Sequence, residues 1–91
     1  MSEQTMIPIL NSMFRFQYEP AQNCHVLLFP EGMVKLNDSA SEIIKLIDGN
    51  SSVEQIVKLL AAKFPEAGDL TDDVAGFLIT AVEKKWVHYG S

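Results

Sequence analysis

The chain changes its hydrophobic period once. Phe14, Phe16 and Tyr18 alternate with Arg15, Gln17 and Glu19, a period of two that predicts a half-buried strand closed by Pro20. Ala21-Gln22-Asn23 then reads as a hairpin connection. Cys24 to Phe29 follows as a second strand, with Val26, Leu27, Leu28 and Phe29 apolar on both faces, as a central strand requires. A turn at Pro30-Glu31-Gly32 leads into Met33 to Leu36, the third strand. The expected sheet order is one, two, three.

After Leu36 the apolar positions recur every three to four residues. Asn37, Asp38 or Ser39 can cap a helix whose Ala40, Ile43, Ile44 and Ile47 share a face, with Gly49 suited to end it; Ser39 and Glu42 have capping-box spacing. Ser52 and Gln55 have the same spacing before a second helix, which carries Val53, Ile56, Val57, Leu60 and Phe64 inward and stops at Pro65. A third helix is predicted from the Asp69 to Asp72 region to about Lys85. Its inner stripe is Val74, Phe77, Leu78 and Ala81, and Ala75, Ile79, Val82 and Trp86 form a second apolar stripe further round. Residues 86–89 are expected to pack back on the domain as a short extended tail. Three antiparallel strands followed by three helices make an α+β domain, winged-helix-like in its elements. Residues 1–13 are expected to be a flexible N-terminal segment, and residues 14–91 a single domain.

Composition narrows the function. The chain has 91 residues, 47% hydrophobic and 21% charged, which suits one globular domain. Cys24 is the single cysteine, so no internal disulfide or thiolate metal cluster can form, and a reducing compartment, the cytoplasm, is expected. The apolar run MIPIL is too short, and broken by Pro8, for a signal or a membrane span. A net charge of −5 works against nucleic acid, because phosphate recognition needs a basic face.

Catalytic chemistry has little to stand on. Cys24 and His25 are strand neighbours and point to opposite faces, so they do not make a nucleophile and base pair. His25 and His88 lack metal-ligand spacing, and Asp69, Asp72 and Asp73 at a helix start are explained by the macrodipole. No enzyme activity, metal or cofactor is expected. Arg15 is expected in a surface ion pair or against a partner. What lacks an internal partner is the outer edge of the third strand, where Lys35 is the only obvious device against pairing. With the third helix beside it, that edge forms a groove for an added peptide strand. A homodimer through the same edge, or a tail folded into it, would also cover it.

The runs HVLLFPEGMVKLNDSASEI, DGNSSVEQIV, DDVAGFL and KKWV, with Arg15 in the first strand, resemble the PqqD family of pyrroloquinoline quinone biosynthesis. The likeness spans Phe14 to Val87; Phe29 stands where the family commonly has tyrosine and Ile47 where it has cysteine. The resemblance implies a recognition element for the leader of a ribosomally made, modified peptide. It implies binding of the precursor peptide PqqA and its presentation to PqqE, a radical S-adenosylmethionine enzyme. Carried onto matching positions, it puts Met33, Val34, Lys35 and Leu36 on one wall of the groove and Asp73, Val74, Phe77, Leu78 and Ala81 on the other. A winged-helix DNA binder and a dimerisation module are the alternatives; the acids Asp72, Asp73 and Glu83 beside Lys84 and Lys85 disfavour the first.

Overall fold

The computed structural model describes residues 5–90. Its main sheet holds β2 (Arg15–Glu19), β3 (Cys24–Phe29) and β4 (Gly32–Lys35), antiparallel in that order. Phe16, Leu27 and Val34 lie side by side across it and turn inward, whereas Arg15, Leu28 and Met33 form the next row on the opposite face. Asn23 takes the left-handed conformation in the first hairpin, and its side chain accepts a hydrogen bond from Tyr18 at 2.9 Å.

Helices α1 (Asp38–Lys45), α2 (Val53–Lys63) and α3 (Thr71–Glu83) follow, with a short 3-10 turn at Pro65–Ala67. Each start has its own chemistry. Asn37 caps α1 by accepting from the Ala40 amide at 2.8 Å, so Ser39 lies inside the helix and forms no capping box. Ser52 and Gln55 make the predicted reciprocal box at α2. Helix α3 has no side-chain cap; Asp69 instead accepts from both the amide and the hydroxyl of Thr71. Helix α1 ends two residues before Ile47, and Gly49 serves the loop beyond it, where its left-handed backbone lets the Asp48 carboxylate accept from the Asn50 and Ser51 amides.

The N-terminal segment departs from the sequence expectation, and the C-terminal tail, extended and packed back as expected, goes further by pairing as a strand. Within the segment expected to be flexible, Ile7–Leu10 forms β1, and residues 1–4 of that segment lie outside the described residues. The expected tail forms β5 (Val87–Gly90), which pairs antiparallel with β1 in a separate two-stranded sheet. A proline and four residues look too weak to make a strand alone, but Pro8 is fully buried and the partner strand arrives from the far end of the chain.

Core residues fall into two adjoining clusters. One holds Ile43, Val53, Ile56, Leu60, Val74, Leu78, Ala81 and Val87; the other, under the main sheet, holds Leu27, Leu36, Ala40 and Ile44. Leu10, Ile47, Phe77 and Trp86 pack against both.

The end of α3 sets the position of Trp86. The Trp86 amide bonds to the Ala81 carbonyl and the Lys85 amide to that of Val82, the paired bonds of a Schellman motif. Its left-handed position is held by Lys85, at φ 65°, where glycine is usual. A Cβ there costs on the order of 1 kcal/mol. Lys85→Gly should therefore raise unfolding stability by about that amount in a denaturant titration, without changing the slope of the transition.

Candidate peptide-binding groove

Hydrogen-bond parity decides which way the β4 backbone faces. The Leu36 amide bonds to the His25 carbonyl at 3.0 Å, which makes Leu36 and His25 a bonded pair in the antiparallel register. Val34 and Gly32 share that parity and face β3. Met33 and Lys35 have the other parity, so their amide and carbonyl groups point away from β3, and no strand among the described residues lies on that side. The edge offers two donors and two acceptors.

Helix α3 supplies the facing wall through Phe77 of its inner stripe, and the second apolar stripe on the helix lies elsewhere. Phe77 packs against the same cluster as Val34, and its ring lies 6.3 Å from that of Trp86. At 100° per residue, Ala75, Ile79 and Val82 fall 140° or more around the helix from Phe77 and cannot share its side. Ile79 is 56% exposed on the opposite flank. Asp73, Thr80 and Lys84 stand within about 60° of Phe77, and the Lys84 ammonium lies 5.9 Å from the Trp86 ring centre.

The proposed contact residues thus separate into two groups. Met33, Lys35 and Asp73 are exposed and Val34 and Phe77 half-buried, so all five are reachable. Leu36, Val74, Leu78 and Ala81 are core residues at 6% exposure or less; their side chains support the groove from beneath. Trp86 belongs to the second apolar stripe read from the sequence, whereas Thr80 and Lys84, on the Phe77 side of the helix, were not singled out there. The signal for Thr80 and Lys84 was the polar flank beside Phe77, shared with Asp73, which an apolar-stripe reading passes over.

Beyond the Lys35 end of the edge the groove opens into a cavity of about 660 Å³ between α1, α2, the 3-10 turn and α3. Ile43, Leu60, Phe64 and Phe77 line it, with the carboxylates of Asp38 and Asp73.

Comparison with known proteins bears on this groove. The family model described as Coenzyme PQQ synthesis protein D (PqqD) matches residues 24–87. The chain belongs to the PqqD family. Its relatives include a protein of Azotobacter vinelandii named PqqA binding protein, 55% identical over 89 residues that cover 96% of this chain and 97% of the relative. A Pseudomonas aeruginosa protein of the same name is 54% identical, covering 89% of this chain and 88% of its own. Among solved structures, the PqqD portion of Methylobacterium extorquens PqqCD superposes with a TM-score of 0.76 at 28% identity, over 96% of this chain and 93% of that one. It is described as a functional, stand-alone recognition element for a ribosomally synthesised and modified peptide. PqqD from Xanthomonas campestris gives a TM-score of 0.56 at 32% identity, over 97% and 98% of the two chains.

Other polar groups of this PqqD chain have local roles. His25 stacks on Phe16 with ring centres 5.0 Å apart and meets the Tyr18 ring edge-on at 5.2 Å, while Arg15 has no ion pair among the described residues. No group of three or more potential metal ligands occurs among the described residues, and no helix there is long and apolar enough to cross a membrane.

Glu42, at the cavity, accepts hydrogen bonds from Lys63 and from Lys45, and these hold its carboxyl below the ordinary value. A carboxyl whose folded value is depressed stabilises the fold above its unfolded value, and loses that contribution as pH falls through the folded one. Lys63→Met should cost about 1 kcal/mol or less at pH 7, as partly exposed pairs do. The gap between wild type and variant, followed by urea unfolding across pH, should close as pH falls through the lowered folded value of Glu42 and the carboxyl takes up a proton in both.

Proposed function

We propose that this chain binds the precursor peptide PqqA as a fourth strand on the β4 edge and presents it to the radical enzyme PqqE, with no chemistry of its own. The observation that carries the reading is the outward parity of Met33 and Lys35 beside Phe77. The relatives named PqqA binding protein support the choice of peptide.

The energetics are those of a reversible carrier. Four added ladder bonds at a net of about 1 kcal/mol each supply roughly half of the 8 kcal/mol that micromolar affinity needs. Two apolar peptide side chains seated against Phe77 and Val34 add about 3 to 6 kcal/mol, less the cost of ordering a flexible peptide. The sum suits a cargo that must be handed on. Burial of part of the peptide also leaves the rest extended and free for an enzyme to reach. Since the homodimer open from the sequence would use the same edge, PqqA and a second copy would exclude each other there.

Two substitutions separate the parts. Lys35→Pro removes a donor aimed at the peptide but leaves the β3 ladder whole, because the Lys35 amide does not bond to β3. It should weaken PqqA binding at least tenfold in a calorimetric titration, and a folded Lys35→Pro chain that binds normally contradicts strand addition. Phe77→Ala should weaken binding by a similar factor, with a smaller heat-capacity change because less apolar surface is buried.

A further inference from the structure

The cavity past the end of β4 has a lining that edge pairing does not explain. Its floor is apolar, formed by Ile43, Leu60 and Phe77, and three carboxylates reach it from two sides. Glu42 is already matched by Lys45 and Lys63. Asp38, in the first turn of α1, and Asp73, in the first turn of α3, have no ion pair among the described residues. Both are exposed and border the same apolar space from opposite helices.

The cavity also continues the groove. Asn37, in extended conformation, carries β4 into α1, and Asp38 and Ser39 at that junction line the cavity together with Phe77. A strand laid along Met33 and Lys35 and running on past Asn37 arrives there. A ligand filling the space must cover an apolar floor and bring positive charge to two carboxylates. A long aliphatic stem ending in a cation does both, because such side chains lay their methylenes on apolar surface while the head stays paired.

We infer that the cavity takes a lysine or arginine side chain of the bound precursor, its stem on Ile43 and Phe77 and its charge toward Asp38 and Asp73. This rests on the reading that the chain binds PqqA along β4. It adds a specificity site: backbone pairing holds any extended peptide, whereas the cavity selects one with a basic residue at a set distance from the paired segment.

The test titrates PqqA into the wild-type chain and into the Asp38→Asn, Asp73→Asn double variant, at low and at physiological salt. PqqA peptides with each lysine or arginine changed in turn to methionine are titrated beside it. The double variant should bind tenfold or more weakly and with a shallower salt dependence. One methionine peptide should show the same loss on wild type and no further loss on the double variant. Equal affinities for wild type and double variant, or no sensitive basic position in PqqA, overturn the inference and leave strand addition standing. If the double variant fails to fold, the peptide series on wild type decides alone. Light scattering without peptide should show a monomer; a dimer that the double variant dissolves would put a second copy in the cavity and overturn the peptide assignment. A wild-type chain that does not bind PqqA removes the underlying reading, and this one with it.

Discussion

Backbone amides in a strand point alternately to its two sides, and among the described residues β4 has a strand on one side only. The bond from the Leu36 amide to His25 sets the phase, and from it Met33 and Lys35 are left facing outward. A buried strand would have to satisfy those groups within the fold, and here no hydrogen bond among the described residues does so. Everything assigned to the groove follows from that single unsatisfied side and from what stands across from it.

What stands across is set by packing. Phe77 and Trp86 pack against both core clusters, so α3 is seated against the main sheet and the helical layer at once. The Schellman turn at the end of α3 reverses the chain so that Trp86 comes beside Phe77, and β5 then runs back to pair with β1. That second sheet closes the terminal end of the molecule without using the β4 edge. The two-sheet arrangement therefore pairs Ile7–Leu10 with Val87–Gly90 and, among the described residues, leaves the β4 edge uncovered.

Local signals in the sequence told most of this. The alternation from Phe14 to Tyr18, the doubly apolar run at Val26 to Phe29 and the Ser52 and Gln55 box all involve residues a few positions apart, and the structure has them where the pattern put them. The naked edge was legible because nothing in β4 except Lys35 blunts it. What escaped was non-local or a matter of phase. Ile7–Leu10 shows no strand character until β5 arrives 80 residues later, and Pro8 argues against one. The second apolar stripe read on α3, Ala75, Ile79, Val82 and Trp86, divides in the structure: burial of Val74, Leu78 and Ala81 turns Ala75, Ile79 and Val82 to the far flank, and the turn after the helix brings Trp86 beside Phe77. The cavity between three helices has no sequence signature, since Asp38 and Asp73 read equally well as helix-start acids.

The central claim concerns two amides, so amide hydrogen exchange read residue by residue, with and without saturating PqqA, tests it most directly. The account predicts that Met33 and Lys35 exchange quickly in the free chain and become protected on binding, while Val34, already bonded to β3, changes far less. Saturated binding with Met33 and Lys35 still exchanging at their free rates would contradict it.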